Sequence, residues 1–251
     1  MKELTLRVRR NVFLRGRTWL LVLDAPQIAN EIRGGHFLMI EVSETYDPMG
    51  RRAFAVGDVR GHELYIFYDV VGRGTRLMTE LREGQEVRVF GPLGKKLFSY
   101  EGDRHLLVGG GIGLAGLSLL GKELREMGKE VVFVYGARSA ELLSMIDWLK
   151  EEGFSYRIYT DDGSMGTKGF VTQALEEFGP QWVVSACGPK PMLKALKRIA
   201  QEKGHKLYLS LEERMACGWG VCLGCVVKDS YGHFKRVCYE GPVFSANEVV
   251  L

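Results

Sequence analysis

The first hundred residues alternate between apolar and polar positions. LTLRVRR, TWLLVLDA, HFLMIEVS, ELYIFYDVV and EVRVFG are short alternating or β-branched runs, and Gly, Pro and Asp break them. Successive strand side chains point to opposite faces, so this pattern predicts several short strands, and their spacing predicts an antiparallel barrel or sandwich. A helical period shows only around Gly74–Leu81.

From His105 the rhythm changes. LLVGGG reads as a strand running into glycines, LSLLGKELREMGK as a helix closed by Gly128, EVVFVYG as a strand and AELLSMIDWLKEEG as a helix. YRIYTDDG, WVVSACG and KLYLSLEE read as further strands, with FVTQALEEFG and KPMLKALKRIAQEKG as the helices between them. Five strands separated by four helices predict a doubly wound parallel sheet with helices on both faces. The last 40 residues, from about Arg214, are too few to build a core of their own, so something other than apolar burial must organise them.

With 251 residues the chain has room for two or three small units with real cores. A net charge of +3 is too weak to argue for nucleic acid. No apolar run approaches the roughly 20 residues that span a bilayer, so no membrane partner is expected. The charged, alternating N-terminus is unlike a signal peptide, and a cytoplasmic location is expected.

The five cysteines change the picture, because four of them fall in the last 35 residues. Their spacing is Cys217-x4-Cys222-x2-Cys225-x12-Cys238, the plant-type pattern of a [2Fe–2S] cluster. Two ferric irons need four thiolates, and a loop that wraps a small inorganic core needs tight turns, which Gly218, Gly220 and Gly224 permit. Two other readings stand beside it. One is a zinc site, although zinc usually takes its cysteines in C-x2–4-C pairs; the other is a structural set of reduced thiols. Trp219 inside the loop could shield a cluster, face a partner or simply pack.

Gly111-x-Gly113-x-x-Gly116 follows a strand and opens a helix, the setting in which glycines place a pyrophosphate on a helix N-terminus. Gly110, Gly111 and Gly113 are therefore candidates for binding NAD(H). Packing of strand against helix also uses such glycines. The acidic ribose ligand expected after the second strand is absent, and Arg138 stands there instead, which leaves the choice between NAD and NADP open. Asp161 ends the third predicted strand on the ligand side of such a sheet, where it binds cofactor or caps a turn. Cys187 ends the fourth, outside the cluster spacing, as a thiol lining the nicotinamide cleft or as a buried small apolar side chain. The five histidines share no ligand spacing, and no catalytic acid, base or nucleophile set stands out.

Three features now stand in chain order: a small β unit, a nucleotide-binding α/β unit and a C-terminal [2Fe–2S] loop. The chain resembles the ferredoxin–NAD(P) reductase superfamily and, within it, the electron-transfer subunits of NAD-linked (class B) dihydroorotate dehydrogenase. The resemblance is carried by Ser210-Leu-Glu-Glu-Arg-Met-Ala-Cys-Gly218, GVCLGC, Val237-Cys-Tyr-Glu-Gly-Pro-Val-Phe244, GGGIG and DDGSMGTKG. It implies an FAD-binding antiparallel β-barrel over 1–100, an NAD-binding domain with a five-stranded parallel sheet over 101–211, and a small [2Fe–2S] domain over 212–251. It also implies the flavin segments. The family's Arg-Pro-x-Ser reads here Arg52-Ala53-Phe54-Ala55, so Arg52 can grip flavin phosphates while the serine contact is missing. The second flavin segment runs from Tyr68 and Asp69 through Val70 to Gly74 and Thr75, whose hydroxyl can donate to a phosphate. The implied function passes electrons from a partner's flavin, through the cluster held by Cys217, Cys222, Cys225 and Cys238 and through FAD, to NAD+. The partner is the flavin-containing catalytic dihydroorotate dehydrogenase subunit of pyrimidine biosynthesis, in a heterotetramer of two of each chain. The altered segment at residues 52–55 keeps open a subunit of another assembly, hydrogenase-associated or ferredoxin-linked, and a zinc-stabilised regulatory module is the reading without redox chemistry.

Overall fold

The computed structural model describes residues 1–43, 45 and 47–251. Strands β1 (Lys2–Arg15), β2 (Thr18–Asp24), β3 (Phe37–Glu41), β4 (Arg51–Ala55), β5 (Asp58–Arg60), β6 (Glu63–Asp69) and β7 (Glu86–Leu93) form one antiparallel sheet. Its order is β4-β3-β7-β1-β2-β6-β5. The two end strands, β4 and β5, are consecutive in the chain with two residues between them, so the sheet has to curl until its edges meet. That is the expected barrel. The alternation seen in the sequence is the reason it has an inside: Leu6 and Val8 of β1, Leu64 and Ile66 of β6, and Val87 and Val89 of β7 all point into one core. A short helix, α1 (Arg73–Met78), follows β6.

The second sheet contains β8 (Arg104–Gly110), β9 (Glu130–Ala137), β10 (Ser155–Thr160), β11 (Thr167–Lys168), β12 (Val183–Cys187), β13 (Leu207–Ser210) and β16 (Val243–Ser245), in the order β11-β10-β9-β8-β12-β13-β16. Five of these are the expected parallel strands, buried almost continuously in β8, β9 and β12 as two-sided burial requires. The sheet has seven strands rather than five. The two-residue β11 extends one edge, and β16 adds to β13 antiparallel at the other, so the C-terminal segment is stitched back onto the nucleotide-binding sheet.

Two of the four predicted helices form in full, α2 (Ala115–Glu126) and α4 (Lys190–Lys203). Of AELLSMIDWLKEEG only Ile146–Glu151 is α-helical (α3), after a 3-10 turn at Ala140–Leu142. FVTQALEEFG forms only a 3-10 stretch at Val171–Glu176, where Val171 is pressed against Gly136 of β9, leaving no room for a side chain there. Packing onto the sheet overrides a helical preference that β-branched Val171 and Thr172 make weak.

The two large units are bolted together. Fully buried Asp58 of β5 accepts from Lys122 of α2 at 2.8 Å and from Arg60 at 2.9 Å, while Glu152 bonds Arg60 at 2.9 Å. Ser118 of α2 donates to Gly57 O at 2.6 Å, and the Gly34 N–H donates to Glu123 of α2 at 2.9 Å. Helix α2, which the glycine turn opens, is thereby fixed against the barrel. The tail adds the hairpin β14 (Val226–Lys228) and β15 (Phe234–Arg236) and a one-turn helix, α5 (Val237–Glu240). Among the described residues no helix is long and apolar enough to cross a membrane.

Candidate electron-transfer site

A cleft of about 800 Å³ opens between the barrel and the parallel sheet. Its barrel wall comes from β4, the end of β6 and the turn into α1; its other wall comes from the start of α2, the end of β12 and Ser210–Met215. Residues 52–55 and 68–75 are far apart in sequence, yet they meet here. The Arg52 guanidinium is held by Met49 O at 3.2 Å and Arg51 O at 3.1 Å, and it lies over Gly74, where an added Cβ would stand 3.3 Å from Arg52 Nε. The arginine and the glycine turn thus form one cradle, cationic on one side and open backbone on the other, which suits a phosphate.

The other residues of this segment divide. Ala53, Phe54, Ala55, Tyr68, Asp69, Gly74 and Thr75 all line the cleft. Thr75, however, spends its hydroxyl inside the turn, donating to Gly72 O at 3.1 Å and accepting from the Val71 N–H at 2.9 Å. Its part is to shape the cradle, because its proton is already engaged. The Tyr68 phenol is turned into the barrel core, where it donates to Asn11 Oδ1 at 3.1 Å, and burial holds it well above the usual phenol range. Asp69 is tied to Arg17 at 2.7 Å and to the Thr18 hydroxyl. Val70 packs against the barrel core, and it is Val71 that reaches the cleft.

On the opposite wall the glycine turn is chiefly a packing device. A Cβ on Gly113 would stand 2.4 Å from Cys187 O, one on Gly116 3.1 Å from Cys187 Sγ, and one on Gly110 2.6 Å from Met192. The turn therefore nests against the Cys187-Gly188-Pro189 turn at the point where the strand order reverses between β8 and β12. Gly111, with φ of +55° and open space around it, is the member free to meet a ligand. Asp161 and Arg138 lie at the adjacent ends of β10 and β9, with the Asp162 N–H donating to Arg138 O; neither reaches the cleft.

Cys187 lines the cleft, and its thiol faces Glu212 Oε1 at 3.7 Å. Burial, then the charge of Glu212, pushes the thiol well up, and burial likewise raises the Glu212 carboxyl. Glu212 is a site residue that sequence reasoning passed over; its signal was its place five residues before the first cluster cysteine.

The segment that carries Glu212 leads directly from the cleft into the cysteine loop. Gly218 (φ +70°) rests on the barrel, where a Cβ would stand 3.0 Å from Met39, and Gly220 (φ +80°) leaves only 2.9 Å to Tyr239. Trp219 stacks on Phe90 at 4.3 Å with about half its surface exposed, so it anchors the loop to the barrel while still facing solvent. Backbone N–H groups aim at sulfur: Trp219 N to Cys217 at 3.3 Å, Gly224 N to Cys222 at 3.5 Å and Cys238 N to Cys225 at 3.4 Å. Burial alone would push the Cys217 thiol up, but the N–H groups of Cys222, Trp219 and Val221 and the Cys222 thiol bring it down to about 6. Burial, then contact with Cys225, pushes the Cys238 thiol up to about 12. Among the described residues no three potential ligands converge as one ion would require. The four thiols lie near one another: Cys217 is next to Cys222, and Cys238 is next to Cys225 and feels the charge of Cys217, a set that suits four thiolates shared by two irons.

Residues 212–250 match the iron-sulfur cluster binding domain of dihydroorotate dehydrogenase B. Over their full lengths the chain is 58% identical to a "dihydroorotate dehydrogenase B (NAD(+)), electron transfer subunit homolog" of Aquifex aeolicus, and 39% identical to the corresponding electron transfer subunit of Bacillus velezensis. The chain belongs to this family of electron transfer subunits. A solved structure described as an NADH-dependent reduced ferredoxin-NADP oxidoreductase superposes with a TM-score of 0.86 at 31% identity, covering 98% of this chain and 89% of the other. The ferredoxin reductase of carbazole 1,9a-dioxygenase, at 22% identity and a TM-score of 0.69, shares the fold over 81% of this chain. Membership as an electron transfer subunit implies a catalytic partner chain. Of the Arg-Pro-x-Ser segment that the resemblance implies, the proline is replaced by Ala53 and the serine by Ala55, whose methyl group faces Gly116 and the Cys187 side of the cleft.

Proposed function

We propose that this chain carries electrons from the flavin of a dihydroorotate-oxidising partner, by way of a [2Fe–2S] cluster and FAD, to NAD+. The observation that carries the reading is one continuous segment, Ser210–Cys217: residues 210–215 form a wall of the cleft and only Ala216 separates them from the first cluster cysteine. Residues 1–100 hold FAD, 101–211 bind NAD(H) and 212–251 hold the cluster. When bound, the two groups exchange electrons singly at the cluster and in pairs with NAD(H) at the flavin.

The chain's own residues do the placing. Arg52 and the Gly72–Thr75 turn grip the flavin's phosphates, with Asp69 fixing the end of β6. Ala53, Phe54 and Ala55 bound the cleft along β4. Gly111 admits the dinucleotide's phosphates, Gly113 seats that turn on Cys187, and Gly110 seats it on Met192. Cys217, Cys222, Cys225 and Cys238 hold the cluster. Val221, 78% exposed, and Leu223, 59% exposed, flank Cys222 and offer the partner an apolar contact close to the thiols. With that partner the chain forms a heterotetramer of two copies of each subunit in the cytoplasm.

A second reading has specific support. The likeness at 31% identity to a chain of an NADH-dependent ferredoxin-NADP oxidoreductase, together with Ala53 and Ala55, fits the reductase subunit of a different redox assembly. Anaerobic purification with assays for flavin, iron, sulfide and zinc tests the common core. Flavin absorbance with about two irons per chain is expected, and zinc without flavin overturns it. Reduction of the co-purified complex by dihydroorotate then separates the two assemblies.

A further inference from the structure

Two residues beyond the end of β7, the barrel sends Lys95 across to the cysteine-rich tail. Its backbone N–H donates to Gly241 O at 2.9 Å, and its ammonium lies 3.6 Å from the ring centroid of Tyr239, the residue next to Cys238. Lys95, Tyr239 and Cys238 line one small cavity of about 320 Å³. The charges around this cavity do not cancel. Glu31, also on its wall, is taken up by Lys2. His36 accepts the Arg33 N–H at Nδ1, and burial, then Arg33, holds its imidazole below its usual range. Arg236, whose guanidinium is 4.6 Å from the same tyrosine ring, is neutralised by Glu240 and donates to Gly220 O, bracing the loop. Lys96 is paired with Glu248. Met1, with the N-terminal ammonium, lines the same cavity and adds positive charge, and Lys95, seated on Tyr239 beside Cys238, has no carboxylate within ion-pair distance among the described residues.

We propose that Lys95 sets the cluster's reduction potential, holding it higher than the cysteine cage alone would. The inference rests on the reading of the four cysteines as cluster ligands. Adding an electron to a thiolate-bound cluster adds negative charge, and a nearby cation favours the reduced state. Tyr239 provides the seat: its ring face attracts the ammonium and holds a long, exposed side chain in one place beside the cage. The barrel would thus tune the cluster as well as hold the flavin, which links the potentials of two groups in separate parts of the fold.

The test is a redox titration of the anaerobically purified full chain, followed by electron paramagnetic resonance of the reduced cluster, for wild type, Lys95→Met and Lys95→Arg. All three are expected to keep the same iron and sulfide content and the same line shape. The midpoint potential is expected to move to more negative values in Lys95→Met and to stay near wild type in Lys95→Arg, with the Met shift shrinking as salt is raised. An unchanged potential in Lys95→Met, or an equal shift in both variants, overturns the proposal. Should Lys95→Met lose iron, Lys95→Gln gives the same comparison with a polar head retained. Wild-type protein without iron would instead sink the reading of the cysteines themselves, a result the metal assay distinguishes from an unmoved potential.

Discussion

Cys187 Sγ lies 3.7 Å from Glu212 Oε1, and both groups line the cleft between the barrel and the parallel sheet. The pair joins the end of a central strand to the segment that runs into the cysteine loop. Burial holds the Glu212 carboxyl above its ordinary value of 4.5, the Cys187 thiol opposes that shift, and the charge of Asp69 adds to it. A carboxyl raised on folding favours the folded chain while it is protonated, and that contribution fades as pH climbs through the raised value. Glu212→Gln is therefore expected to melt higher than wild type, with the gap widening as pH climbs from the ordinary carboxyl value of 4.5 through the raised one. Thermal melts of cofactor-free protein across that range check it, and a gap independent of pH would contradict it.

Asp58 is fully buried between Lys122 and Arg60 at the junction of the two large units. Asp58→Ala leaves two cations facing a buried gap, and loss of about 3 kcal/mol is expected. Urea unfolding would show the fall. Because the same contact fixes α2 against the barrel, flavin retention should fall with it.

Cys222→Ser is expected to lose the cluster, seen as missing iron and visible absorbance. NADH oxidation by an artificial acceptor should largely survive, since the flavin cradle lies on other residues. Loss of that activity in a folded, flavin-loaded variant would mean that the order of the two groups is wrong.

Arg52→Ala removes the guanidinium from the Gly74 cradle. A charge-assisted pair to phosphate contributes about 1.5–3 kcal/mol, so flavin should bind roughly ten- to hundredfold more weakly. Fluorescence titration of the apo-protein with FAD measures this directly. Thr75→Val should act less on affinity and more on the turn, because the hydroxyl bonds Gly72 and Val71.

Gly218→Ala forces a side chain into the left-handed region and against Met39. A cost of about 1–3 kcal/mol is expected in that loop, read as faster iron release under a chelator while the melting of the barrel changes little.

Much of this was legible in the amino-acid sequence because it depends on local periodicity or on ligand spacing. Alternation along β1, β6 and β7 predicted the barrel, the succession of strand-like and helix-like runs after His105 predicted the parallel sheet, and the cysteine spacing marked the cage. Those signals sit on neighbouring residues, so chain order alone carries them. Tertiary structure decided what depends on contacts between distant segments. It engaged the Tyr68 hydroxyl in the core while the residue still lines the cleft, drew the hydroxyl of Thr75 into its own turn, and set most of the glycines after β8 against Cys187 rather than a ligand. It shortened two crossover helices where side chains press on the sheet, and returned the tail as β16. Glu212 beside Cys187, Asp58 beneath Lys122 and Lys95 on the ring of Tyr239 are pairs separated by 25, 64 and 144 positions. Their charges matter only through burial and distance, and those exist only once the chain has folded.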